Sequence, residues 1–274
     1  MEPLVVGIAN CLIGGVEITR YQNGWARDRI DIVLSRTPLT IRQKMEALPG
    51  KHSDFSGQAA HTTDIEFHHC VEAKVKAAER IADDVCWLLA LATGSPVQPF
   101  SYFRGRYGRS QNVTYSAQVF RPLITPTDGE AIRHFLTSTW PAFRKLKRSR
   151  RLPAIIDYLV LADRPRQPSE ISTLLAFTAL ESLKSTHSRG QRGEFEARVR
   201  RMLEAVGMQR GLCHLVTLRN KIVHEGLAGM PHNKVRRHYD RLQDILREYL
   251  LRLLGYHGSY LLYSSAARQS RVLR

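Results

Sequence analysis

The sequence predicts an α+β chain. A mixed β/α N-terminal region over residues 1–124 leads into an all-α helical bundle over residues 125–256, and a basic tail occupies 257–274. Three observations predict this. Short apolar runs that alternate with polar residues, or break at glycine and asparagine, fill most of the first region, as half-buried strands do. Val71–Ala92 and most of the chain after Asp128 instead repeat apolar residues near the helical period. Pro122 and Pro126 stand where one regime gives way to the other.

In chain order, Leu4 to Ile18 reads as two small strands or a hairpin, broken at Gly7, Asn10 and Gly14-Gly15. Ile30, Ile32 and Leu34 alternate with polar neighbours and predict a half-buried strand. Thr40 to Leu48 suits a short helix stopped by Pro49-Gly50, and the polar stretch Lys51 to Thr63 suits a loop. Ile65, Phe67 and His69 alternate again. His68, His69 and Cys70 invite a metal reading, but adjacent strand residues face opposite sides and no second ligand pair stands at a useful spacing, so no metal is expected. Val71 to Ala92 follows the helical period closely and ends at Thr93-Gly94-Ser95-Pro96.

Strands return at Val97–Phe103 and at Val113, Tyr115, Ala117 and Val119. The segment between them, with Arg104, Arg106, Tyr107 and Arg109, reads as a hairpin loop. Arginines there can contact phosphates and the tyrosine can stack on a base, or the loop is simply solvated. After Thr127-Asp128-Gly129-Glu130, an N-cap signature, a helix is expected to Leu146, kinked or restarted near Pro141. It ends in a dense basic run, Arg144, Lys145, Lys147, Arg148, Arg150 and Arg151, of a kind that tracks a phosphate backbone.

A short helix from Pro153 to Ala162 comes next, then a linker whose Ser169 suits a cap for the helix holding Leu174–Lys184. Ser188 to Gly193 is a basic loop whose glycines lack the strand-to-helix setting of a nucleotide-binding turn, and no cofactor is expected. Phe195, Val199, Met202, Leu203 and Val206 give the next helix its core face. The last helix, Val235 to Leu253, stops at Gly255, and the tail beyond it suits either disorder or a strand.

The chemistry concentrates in Leu212–Gly226, LCHLVTLRNKIVHEG. Leu212, Leu215, Val216, Ile222 and Val223 predict a buried helix face, and Arg219, Asn220 and His224 stand beside it. Asn220 and His224 share a face, whereas Arg219 and His224 are about 140° apart around the axis. A long arginine side chain, or a second copy across a two-fold axis, would bring guanidinium and imidazole to one phosphate. Histidine exchanges protons near neutral pH and arginine stabilises charge on a phosphate, so the set suits RNA cleavage without a metal. The helix dipole and Glu225 would favour protonated His224, which helps an acid more than a base. The plainer alternative is that Arg219 and His224 only cap and bridge helices.

Charge agrees with a polyanion partner. The net charge is +16, and residues 1–99 carry ten Lys or Arg against twelve acids, while 100–168 carry thirteen against four and 169–274 eighteen against nine. Cys11, Cys70, Cys86 and Cys213 lack C-x-x-C spacing and read as reduced thiols of a cytoplasmic protein. No apolar run reaches the ~18 residues of a membrane helix, so no membrane partner is expected.

The helix with Ala179-Leu180-Glu181-Ser182-Leu183, the arginine-rich helix after it, Arg219-Asn220-x-x-x-His224 and the closing helix together resemble the HEPN superfamily, and within it the ApeA-like branch, over residues 128–254. The resemblance implies a dimerising helical bundle and metal-independent endoribonuclease activity in antiviral defence or as a toxin, with an inhibitor or phage-derived protein as a possible trigger. It implies catalytic roles for Arg219, Asn220 and His224, and places Glu181 at an acidic position that can pair with Arg219. It also implies a β-rich region ahead of the bundle, a possible target-sensing or RNA-contacting domain. Glu225 stands where the family has glycine directly after the histidine. The rival expectation is a non-catalytic RNA-binding module or dimeric scaffold whose motif helix is structural.

Overall fold

The computed structural model describes residues 2–22, 24–47, 60–111, 121–165, 167–188, 193–209, 213–226, 228–265 and 269–274, without the side chains of 213–215. The chain is α+β, and it divides into two compact units: residues 1–141 with Gly258–Tyr260, and Ala142–His257 with Leu261–Arg274. No helix among the described residues is long and apolar enough to cross a membrane.

The first unit is built on a seven-stranded sheet. Its strands are β1 (Leu4–Ala9), β2 (Glu17–Tyr21), β3 (Gly24–Leu34), β4 (Thr37–Gln43), β5 (His61–Phe67), β6 (Gln98–Arg104) and β7 (Tyr107–Ser110). Their spatial order is β2-β3-β4-β5-β1-β6-β7, with every described pairing antiparallel. The run LVVGIA, with no charged or polar side chain and Gly7 kept inside the strand, explains the inner place of β1, which is covered on both faces, since such a strand has no side to offer water. In β3 the predicted alternation holds, with Ile30, Ile32 and Leu34 buried. Helix α1 (Val75–Thr93) packs against β1 and β6, and Gly94 closes it at φ 67°.

Several expectations are corrected here. Of the two readings of Leu4–Ile18, two strands and not a hairpin is the outcome, because β1 pairs with β5 and β6 while β2 starts at Glu17. Thr37–Gln43 is a strand, and only Met45–Ala47 makes a helical turn, although Thr40–Leu48 reads as a helix. Pairing on both sides, to β3 and β5, overrides local propensity there, and the buried Gln43 amide holds Ile13 N, Cys11 O and Thr62 O. His61–Thr63 belongs to β5 and not to a loop, and β5 ends before His68 and His69, which lie in a turn. His68 Nε2 sits 2.9 Å from Thr40 Oγ1. Residues 48–59 and the expected strand over 113–119 lie outside the described residues.

Helix α2 (Gly129–Leu146) starts as its signature predicts, with Asp128 Oδ1 accepting the Ala131 N–H at 3.0 Å, and continues through Pro141 without a break. Its first residue has to be glycine. A Cβ on Gly129 would lie 2.5 Å from the Gly15 carbonyl oxygen and 2.6 Å from its carbon. Both neighbours are backbone and cannot swing away. Gly129→Ala is therefore expected to cost about 1–3 kcal/mol of stability, measured by urea unfolding of the first unit; an unchanged midpoint would refute the contact.

The second unit contains α3 (Leu152–Ala162), α4 (Ser169–His187), α5 (Phe195–Glu204), α6 (Cys213–Glu225) and α7 (His232–Leu253). Helix α4 lies against α3 and α7, and Phe177, Leu180, Leu183, Ile155, Leu159, Leu242, Leu246 and Leu250 are buried. Ser169 is the first residue of α4 rather than its cap, and its hydroxyl lies 2.9 Å from His232 Nε2. Among its described residues the tail forms a two-stranded sheet of β8 (Gly258–Leu262) and β9 (Gln269–Leu273). Cys11, Cys70 and Cys86 are free and buried. Burial pushes the Cys11 thiol up to about 12 and raises Cys86 well above its ordinary value. A thiol reagent at pH 8 should leave both unmodified in native protein and label both after unfolding, as peptide masses would show.

Candidate functional site

The motif helix α6 is anchored by a narrow apolar strip. Leu218 and Ile222, four residues apart, are buried with Ala228 and Val235, while Thr217, Asn220, Lys221, Val223, His224 and Glu225 are exposed. Val223, expected on the core face, is 49% exposed, and Leu212 and Leu215 fall outside the described side chains. The core grips one edge of the helix, and the motif face looks outward. The last turn closes at Gly226, whose φ of 74° lies in the left-handed region and whose N–H reaches Ile222 O at 3.0 Å.

Arg219 lies at the boundary between the two faces. Its Nη2 is 3.0 Å from Glu181 Oε1 on α4, and its Nη1 donates to Asn220 Oδ1 at 3.0 Å. Glu181 carries a second cation, since Lys184 Nζ is 2.6 Å from Oε2. Phe195, at the start of α5, completes the cluster: its ring centroid is 4.3 Å from Lys184 Nζ and 5.5 Å from the Arg219 guanidinium carbon. One carboxylate thus serves two cations over an aromatic face, leaving the cluster net positive. Phe195 is half-buried, and its reading as a core residue is corrected to a platform for cations.

His224 is not part of this cluster. It lies exposed on the outer face with Asn220 one turn before it, so one chain joins Arg219, Asn220 and Glu181 and leaves the imidazole apart. The helical period accounts for this: five residues carry His224 well around the axis from Arg219. Lys184 and the platform role of Phe195 were missed from sequence. The signal for Lys184 was present, because it stands three residues after Glu181 on α4.

The other predicted RNA contacts fall in two places. In the first unit, Arg104 to Ser110 is not an open loop but a β6–β7 hairpin with a two-residue turn at Gly105-Arg106. Arg104 is paired with Glu72, and Arg109 is 2.9 Å from Glu79 with its guanidinium 4.3 Å from the Tyr102 ring centroid. Arg106 is exposed, and Tyr107 is 86% exposed. In the second unit and the end of α2, Arg144, Lys145, Arg148 and Arg151 are exposed, and Lys147 is half-buried. Arg150 turns inward, donating to Tyr249 Oη at 2.6 Å and to Leu183 O at 3.3 Å.

Chemically, the cluster offers a fixed guanidinium for an anion and an amide to orient it, while the exposed imidazole stands apart from it, one helical turn from that amide. Comparisons with protein-family models, with curated proteins and with solved structures find no match.

Proposed function

We propose that this chain is a metal-independent endoribonuclease of HEPN type, acting as a dimer in antiviral defence or as a toxin. The observation that carries the reading is the Arg219–Glu181 pair at 3.0 Å, which ties the motif helix to the acidic position on α4 while Asn220 and His224 stay exposed. A merely structural motif would turn its polar residues inward to cap or bridge. Here only Arg219 does so.

In this reading the 2′-hydroxyl of a ribose attacks the adjacent phosphorus, forming the 2′-O–P bond as the 5′-O–P bond breaks. His224 gives a proton to the leaving 5′-oxygen or, as a base, takes the proton of the attacking 2′-hydroxyl, with solvent water as the partner in the other transfer; Arg219 holds the phosphate and balances its growing charge, and Asn220 orients one of them. The products are a cyclic 2′,3′-phosphate end and a 5′-hydroxyl end. Because Arg219 and His224 diverge within one chain, a second copy brings the imidazole of one protomer to the guanidinium of the other. The exposed α6 face, with Val223 among its polar residues, supports that arrangement.

The test is incubation of the purified protein with labelled single-stranded RNA and the matching DNA in EDTA. RNA fragments with cyclic phosphate ends, with DNA left whole, are the expected result. Intact RNA that is bound in a salt-sensitive way, equally by wild type and His224→Ala, would favour the RNA-binding scaffold.

A further inference from the structure

We propose that the C-terminal end of α4 holds a second, phosphodiester-binding subsite made by His187, Arg198 and Arg201 around the fixed guanidinium of Arg150, and that it grips the RNA backbone beside the motif. This deepens the ribonuclease reading and rests on it for the identity of the polymer.

The geometry starts with Arg150. Its Nη2 is held by Leu183 O and Tyr249 Oη, so the guanidinium cannot swing, and its Nη1 lies 3.5 Å from His187 Nδ1. Facing a donor, that nitrogen acts as acceptor, which leaves the ring neutral with its proton on Nε2, directed away from Arg150. His187 is half-buried, so the outer edge of the ring is reachable. From α5, Arg198 reaches over the end of α4, with its Nε 3.1 Å from Ser188 Oγ and its Nη2 3.2 Å from Ser188 O. Arg201 stands one turn further along the same helix.

The charged groups that act on His187 are Arg150 from the turn after α2 and Arg201 from α5; around them, Arg198 of α5 binds the adjacent Ser188, Lys184 stands one turn earlier on α4, and the Tyr249 hydroxyl of α7 holds Arg150. Lys184 is already engaged by Glu181 and Phe195. Burial first, then the charges of Arg150 and Arg201, hold the His187 pKa below its ordinary value. Helix capping explains Arg150, whose Nη2 meets Leu183 O, and Arg198, whose Nη2 meets Ser188 O at the end of α4. It does not explain why Arg201 and a histidine stand there as well. A phosphate among them would take N–H bonds from all three side chains and remove the repulsion on the ring.

The place also suits the motif. His187 follows Glu181 by six residues, about 9 Å along α4 and about 120° around its axis. Cations therefore wind around one helix from the Arg219 pair through Lys184 to the subsite, and the exposed Arg148 and Arg151 flank Arg150. RNA following that winding path would meet a phosphate ligand at each end.

Binding here is linked to protonation. With the free His187 pKa depressed, an anion that raises it makes binding tighter as pH falls through the interval between free and bound values, with no effect above both. A rise of about one unit corresponds to about tenfold in affinity.

The test uses the full-length protein and a 2′-O-methyl RNA oligonucleotide, which no 2′-hydroxyl attack can cleave, so binding is read whether or not the protein cuts RNA. The His187 ring is titrated by NMR alone, with oligonucleotide, and with inorganic phosphate at equal phosphate concentration. Affinity is measured at pH 5.5 and 8 for wild type, His187→Gln and Arg201→Gln, each checked for native circular dichroism. The expected result is a raised His187 pKa with oligonucleotide and a smaller rise with phosphate. His187→Gln should lose about tenfold of the gain at low pH, and Arg201→Gln should bind more weakly at both. An unmoved His187 titration, or full pH dependence in His187→Gln, overturns the subsite. An equal rise with inorganic phosphate overturns its assignment to RNA. Failure of the cleavage assay leaves both the titration and the affinity measurements standing.

Discussion

Arg247→Met should destabilise the helical unit by about 3–5 kcal/mol, because it leaves a buried carboxylate without its guanidinium. Asp163 and Arg247 are 2% and 4% exposed. The Arg247 guanidinium meets Asp163 Oδ2, the Tyr239 hydroxyl donates to Oδ1, and Gln243 Nε2 donates to the Tyr239 oxygen at 2.8 Å and to Leu159 O at 3.3 Å. Burial, reinforced by Asp163, pushes the Tyr239 pKa up, so its hydroxyl stays a donor throughout the working pH range. The network ties the end of α3 to the middle of α7. Removing the positive charge leaves Asp163 in a low-dielectric interior, where it must ionise at a cost or take up a proton. Removing both ends at once should hurt less, and Asp163→Leu with Arg247→Met is expected to recover a large part of the loss. Urea unfolding followed by far-UV circular dichroism checks this. A single variant within about 1 kcal/mol of wild type would show that the pair behaves like a surface ion pair.

His224→Ala is expected to lower the rate of RNA cleavage by roughly 10²–10⁴-fold, the usual contribution of a positioned acid or base. Arg219→Ala should cost roughly 10²–10³-fold through the lost phosphate ligand. The two variants differ in what else they disturb. His224 is exposed, so its loss should leave stability within about 0.5 kcal/mol of wild type. Arg219 pairs with Glu181 at about one-third exposure on each side, which limits the cost of breaking that pair to under about 1 kcal/mol. Glu181→Gln keeps the shape of the side chain but frees both cations, and is expected to slow cleavage about tenfold by loosening Arg219, with Phe195 still beneath it. Mixed dimers carrying Arg219→Ala in one protomer and His224→Ala in the other should regain one intact site of the two, about half the wild-type rate, if the two residues meet across the two-fold. Cleavage that persists unchanged in His224→Ala would remove the catalytic assignment.

Local pattern was enough for the elements whose own residues decide their state. The alternation of Ile30, Ile32 and Leu34, the helical repeat read over Val71–Ala92 and observed as Val75–Thr93, the Asp128 cap and the apolar face of α7 are all readable because each is set by neighbours a few residues away. The α+β class and the order of strands before helices follow from the same signals. The motif, its spacing and the cation excess around it were also visible in the residues alone. Contacts between distant segments decided the rest. Thr37–Gln43 is a strand because β3 and β5 hold it on both sides, and β1 sits inside the sheet because its partners lie about sixty and about a hundred residues further on. The same holds at the site. Sequence placed Arg219 and His224 on one helix, but only packing against Leu218 and Ile222 decided that Arg219 turns to Glu181 while His224 faces outward, and only folding brought Lys184 and Phe195 to that pair. A helix carries its period in its own sequence, whereas the direction that each face looks is set by the partner that buries one side of it.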